Sequence, residues 1–213
     1  MPTQIEEVVV PVSPGDSILS LAQQAGHFWE TLWNHSPNAD LKGKRKDPNI
    51  LAPGDLVTIP PIRVKDYSCA TDQRHTFKRR GVPAKLKIQL FQLGEPRANE
   101  DYTLIIDDKI IQGKTDADGN IEHFIQPDAK GGKLLLNGGK EEYPVRIGHL
   151  NPIDILSGIK QRLNNLGYDC GDESDSLTPK LKQALLQFQA DHKLPQTGEA
   201  DAATKSKLES LHT

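Results

Sequence analysis

Thr178-Pro179-Lys180-Leu181-Lys182-Gln183-Ala184-Leu185-Leu186-Gln187-Phe188-Gln189 is the stretch whose reading settles the carboxy-terminal part of this chain. Proline at a first helical position has no N–H to lose, and a threonine before it can cap, so Thr178-Pro179 reads as a helix start. Leu181, Leu185 and Phe188 then recur at i, i+4 and i+7, which puts them on one helical face. Upstream, Ile159, Leu163 and Leu166 repeat that spacing, with Asp154 as the candidate cap and Gly167 as the stop. Downstream, Asp201 opens a third helix with Thr204, Leu208 and Leu211 on one face. Residues 151–213 are therefore expected to form a three-helix bundle, with a core that is marginal alone.

Working outward, residues 74–150 change to period two. Leu86, Ile88 and Leu90 alternate with Lys85, Lys87 and Gln89, and Tyr102, Leu104 and Ile106 repeat the pattern. Asp107-Asp108 marks a tight hairpin, Asp116 to Asn120 a turn, Lys133 to Leu136 a strand bracketed by glycines, and Tyr143, Val145 and Ile147 the last strand. Six or seven short strands at this spacing predict a small all-β sandwich. Residues 63–73 (RVKDYSCATDQ) read as a linker. In residues 1–62, Ile5 to Val12 reads as a strand and Ser13-Pro14-Gly15 as a turn, with Asp16 or Ser17 capping a helix that carries Ile18, Ala22 and Ala25. A second short helix holds Phe28, Trp29, Leu32 and Trp33, Ala39 to Asp47 is a loop, and Leu56 to Ile59 is the returning strand. The expected architecture is multidomain α+β: a βααβ module, a β-sandwich and a helical bundle.

Composition narrows the partners. The 213 residues carry 26 Lys and Arg against 29 Asp and Glu, a net charge of −3, which argues against nucleic acid as the default ligand. No apolar run approaches the roughly 20 residues that span a bilayer, so membrane insertion is not expected. Two cysteines, Cys69 and Cys170, are too few for a disulfide scaffold. The start MPTQIEEVVVPVSPGD lacks a basic segment followed by a long apolar one, so a cleaved export signal is not expected, and the chain reads as cytoplasmic when made.

Three resemblances attach to these segments. Ile159-Lys-Gln-Arg-Leu163-Asn-Asn-Leu166-Gly167-Tyr168, Ala184-Leu-Leu-Gln-Phe188-Gln189 and Leu194-Pro-x-Thr-Gly198-Glu-Ala-Asp201-x-x-Thr204 resemble the three-helix peptidoglycan-binding domain of many cell-wall hydrolases. That resemblance implies a groove beside Phe188 and Gln189 as the glycan site. Where the family's loop carries two glycines and a threonine, this sequence has Asp175, Thr178 and Leu181. Val10-x-Val12-Ser13-Pro14-Gly15-Asp16-Ser17-Ile18, Leu32-Trp33-Asn34 and Asn49 to Pro60 resemble the LysM module. This implies binding of peptidoglycan or another N-acetylglucosamine polymer between Gly15, Asp16, Ser17 and Ile18 on one side and Asn49, Ile50 and Leu51 on the other. Gly94-Glu-Pro-Arg97 with Thr115 to Gly119 resembles immunoglobulin-like and carboxypeptidase-regulatory-like sandwiches, usually spacers or docking surfaces. The three in this order look like small proteins linked with bacterial type VI secretion loci. That implies a secretion spike or effector as a partner and the periplasm as a destination.

Nothing in the sequence is arranged for bond cleavage. The histidines (27, 35, 75, 123, 149, 192 and 212) are scattered, without an H-E-x-x-H or a Cys–His constellation, so no catalytic residue, metal or cofactor is expected. Asp116-Ala-Asp118-Gly-Asn120 superficially resembles a calcium loop, but Pro127 stands where the twelfth-position glutamate belongs, so the string reads as a turn. Two basic runs, 42–46 and Lys78-Arg79-Arg80, read either as solvated faces or as partner contacts. The expected function is a non-catalytic, two-module wall-binding protein. The rival reading is a cytosolic adaptor that docks a secretion partner.

Overall fold

β-Branched residues opposite a Pro-Gly-Asp turn pair as strands, and the computed structural model begins with such a ribbon. It describes residues 6–62, 68–76, 84–92 and 94–212. Ile5, part of the linker (63–67) and the Lys78-Arg79-Arg80 run lie outside them. β1 (Val8–Pro11) pairs antiparallel with β2 (Leu56–Ile59), Val10 opposite Val57. Between them lie α1 (Ile18–Ala25), α2 (Trp29–Trp33), a 3₁₀ turn (Ser36–Asn38) and α3 (Ala39–Arg45). Ser17 and Ser20 form a reciprocal capping box at the start of α1, and Gly26, left-handed at φ 74°, closes it. Ile18, Leu32, Trp33, Val57 and Ile59 are buried.

Two expectations are corrected here. The stretch 39–47 is not a loop: residues 39–45 are helical, and Lys42 and Arg45 are engaged within the module. Arg45 forks onto Asp55 through Nε (2.6 Å) and Nη2 (2.8 Å), while Lys42 donates to Asn34 Oδ1 at 2.7 Å. Phe28 is also not inside the second helix but its exposed N-cap. Buried Asn38 then ties this region to β2: its amide donates to the Thr58 carbonyl (2.8 Å) and its Oδ1 accepts the Thr58 N–H (2.8 Å).

Residues 68–76 are exposed and carry no helix or strand. Beyond them come β3 (Ala84–Gln89), β4 (Phe91–Gln92), β5 (Glu95–Pro96), β6 (Asp101–Ile106), β7 (Lys109–Lys114), β8 (Asn120–Ile125), β9 (Gly131–Leu136) and β10 (Glu141–Arg146). A four-stranded antiparallel sheet runs β10-β9-β6-β7, and β3 pairs with β8 as a separate ribbon. One core joins them: Tyr102, Leu104 and Ile106 of β6 and Leu134 and Leu136 of β9 meet Ile121 of β8, with Leu86 and Ile88 of β3 against them. Asp107, at φ 50°, makes the two-residue turn between β6 and β7. The Asp116 turn is occupied by its own chain. Its carboxylate accepts the N–H groups of Asp118 and Asn120 and the Asn120 side-chain amide, which holds it below the usual carboxylate range.

Gly131 and Gly132 do not merely bracket β9 but open it. A Cβ on Gly132 would stand 1.9 Å from the Ile105 carbonyl oxygen, so only glycine lets β9 close on β6 there.

The helices α4 (Leu156–Asn165), α5 (Pro179–Asp191) and α6 (Ala202–Ser210) follow. Ile159, Leu163, Leu181, Leu185, Phe188 and Leu208 share one core with Cys170. The chain divides into two compact units, one holding residues up to Asn49 with Gly54–Gly148, the other Ile50–Pro53 with the residues from His149 on. No helix among the described residues is long and apolar enough to cross a membrane.

Candidate functional site

Thr178 accepts the Leu181 N–H at 3.2 Å and Pro179 takes the first helical position, so α5 starts where its sequence places it. Its face turns Phe188 inward, where Tyr168 meets it edge-on at 5.4 Å between ring centroids and His192 lies 4.5 Å away. Burial, with a hydrogen bond from its hydroxyl to Asp191 (3.0 Å), pushes Tyr168 up to about 12. Burial likewise raises the Cys170 thiol to about 11, where it is an inert core group at neutral pH.

Gln189 is 0% exposed and works on the loop after its helix. Its Nε2 donates among Thr197 Oγ1 (3.0 Å), the Glu199 carbonyl (2.9 Å) and Thr204 Oγ1 (2.9 Å), while Oε1 accepts the Gly198 N–H at 2.9 Å. One side chain thus ties the 194–199 loop to α6. The loop runs back along α5, and Gly198, left-handed at φ 68°, sits against Lys182 and Leu186. Phe188 and Gln189 are both interior, so they shape the surface around them, and the groups a ligand meets are their exposed neighbours.

The loop before α5 is held from beneath. Lys160, 0% exposed, donates to Asp172 Oδ1 at 3.0 Å, and the same oxygen accepts the Ser174 N–H and hydroxyl. The Ser174 and Lys160 contacts bring Asp172 down to about 2. Asp175 Oδ1 accepts the Ser157 N–H at 2.8 Å. This corrects the expected cap of α4: Ile155 stands at the cap position, and the side chain that satisfies the helix's open N–H comes from Asp175. Gly167 ends α4 as expected, with the Tyr168 N–H returning to the Leu163 carbonyl at 2.9 Å. The outcome is a braced loop that presents Ser174, Ser176 and Leu177, the last 81% exposed. The two hydroxyls lie 2.7 Å apart, with that of Ser174 donating to Asp172 Oδ1, so the loop offers a small polar cluster beside the apolar Leu177. The sequence does not single out Lys160, and it marks Asp175 only as a departure from the resembled loop, because both act through contacts between elements.

In the first unit Gly15, Ser17 and Ile18 are buried and Asp16 is half-buried. Ser17 is consumed as the α1 cap, and Ile18 is a core residue whose N–H reaches the Pro48 carbonyl at 2.9 Å. Asp16 Oδ2 accepts the Ser13 N–H at 3.0 Å. Lys130 Nζ approaches Asp16 Oδ1 (3.2 Å) and the Gly15 carbonyl (3.4 Å). Asn49 is exposed, and Ile50 and Leu51, which belong to the second unit, are half-buried and buried. Among the described residues no three His, Cys, Asp or Glu side chains are grouped as a metal site.

No curated protein and no solved structure matches the chain. Residues 156–208, from the first residue of α4 into α6, match the family described as "putative peptidoglycan binding domain".

Proposed function

We propose that this chain is a non-catalytic protein that binds the bacterial cell wall, with peptidoglycan held by its carboxy-terminal bundle. The observation that carries the reading is the family match over 156–208, which coincides with the three helices and the Gln189-anchored loop. The exposed groups on the 171–178 and 194–199 loops are the glycan contacts, and Phe188 and Gln189 set their positions from inside. The LysM-like module supplies a second, weaker glycan site on residues of the first unit, at Gly15, Asp16, Ser17, Ile18 and Asn49. Two sites on one chain raise the effective concentration at the second once the first is bound. The chain is made in the cytoplasm and meets the wall in the periplasm through a specialised secretion route such as type VI.

A second reading has its own support: Asp175 and Thr178 stand where the family has glycine and serve as caps, and the Gly15–Asp16 acceptors are engaged by the chain itself. On it, the protein is a cytosolic adaptor for a secretion spike or effector. Co-sedimentation of the full chain with purified insoluble sacculi separates the two. Wall binding predicts saturable retention in the pellet. A chain that stays in the supernatant, yet forms a one-to-one complex with a purified spike subunit, is the adaptor.

A further inference from the structure

Lys130 is fixed by its backbone to the β domain. Its N–H reaches Asp107 Oδ1 (3.3 Å), and its carbonyl accepts the Ile147 N–H (3.1 Å). Its side chain leaves that domain and ends on the turn between β1 and α1, where Nζ meets both Asp16 Oδ1 and the Gly15 carbonyl. With Oδ2 of Asp16 held by the Ser13 N–H, both oxygens of that carboxylate are engaged. A second, independent contact lies beside it: Gly148 packs so closely that a Cβ there would stand 2.7 Å from the Gly15 carbonyl oxygen. The β domain therefore covers the edge that a sugar would have to hydrogen-bond.

We propose that Lys130 is a latch that holds the Gly15–Asp16 edge closed, so that the amino-terminal module takes glycan only when the β domain's lysine lets go. This rests on the reading of that edge as a glycan site given above. The pair is suited to release rather than to permanent closure. The Asp16 side chain is 13% exposed but that of Lys130 is 54% exposed, and ion pairs open to solvent are weak and exchangeable.

The test uses the full chain with Lys130→Met, Gly148→Ala and, as a control that keeps the charge, Lys130→Arg. Hydrogen exchange across residues 13–18 reads the closure directly, and titration with the soluble pentamer of N-acetylglucosamine reads the site. Faster exchange in Lys130→Met and Gly148→Ala, with pentamer affinity roughly two- to fivefold higher than in the parent and in Lys130→Arg, is the expected result. Unchanged exchange and affinity in both variants would overturn the latch. Faster exchange with no pentamer bound by any variant also overturns it as an inhibitory device, and with it the glycan reading of this edge. That last outcome leaves sacculus binding by residues 156–208 standing, so the two failures are told apart.

Discussion

Phe188→Ala is expected to unfold the carboxy-terminal unit and to cut sacculus retention to what the weaker amino-terminal site gives, while the β domain stays folded. The side chain is fully buried among Ile159, Leu163, Leu181, Leu185 and Leu208, and truncating such a phenylalanine costs about 3–5 kcal/mol. A unit this small buries a modest share of its surface and holds only a few kcal/mol in total. The loss therefore takes most or all of its stability. Its core partners are all residues of that same unit, whereas the β domain is organised around Leu104, Leu134 and Leu136. Limited proteolysis should degrade residues 149–213 and leave a resistant fragment containing 84–148. Loss of both units together would contradict the two-unit description, and an intact bundle would contradict the weight given to Phe188 in its core.

Gly158→Ala should destabilise the same unit, against the direction that helix propensity gives. In an exposed helix interior, alanine is better than glycine by about 1 kcal/mol. Here a Cβ would stand 2.1 Å from the Pro152 carbonyl oxygen and 2.6 Å from that of Asn151, both backbone atoms with little room to yield. The same entry segment is clamped by Arg162, whose Nη1 donates to the carbonyls of Asn151 (2.7 Å) and Gly158 (2.8 Å). Overpacking of this kind costs about 1–3 kcal/mol and more where backbone must move, so a net loss of about 2 kcal/mol is expected after the propensity gain. Thermal denaturation followed on the helical signal checks it. A variant more stable than the parent would show that the segment before α4 is free to move away.

What could be read in the sequence and what could not divide along the range of the interactions. The start of α5 and the face of Leu181, Leu185 and Phe188 were legible because caps and periodicity are local. The alternation of Leu86 and Ile88, and of Tyr102, Leu104 and Ile106, gave the core side of β3 and β6 for the same reason. The helix α3 was missed because none of its residues is buried, so it carries no apolar stripe. It is held instead by Arg45 on Asp55, ten residues away, with basic residues in its last turn where the helix dipole favours them.

Asp154 was the nearest acid to α4, but the side chain that caps it comes from Asp175 across the domain. The candidate sites show the same divide. Gln189 was recognisable by its motif, yet its interior position and its grip on Thr197, Gly198, Glu199 and Thr204 exist only once the loop has folded back. Nothing in the order of residues could announce that Lys130 would meet Asp16, 114 positions earlier.

The most direct measurement is a hydrogen-exchange footprint of the full chain with soluble peptidoglycan fragments. Slower exchange at residues 171–178 and 194–199, growing with fragment concentration, is the result that gripping the wall through this bundle requires. Saturating fragments that leave every amide between 156 and 208 exchanging at its ligand-free rate would contradict it.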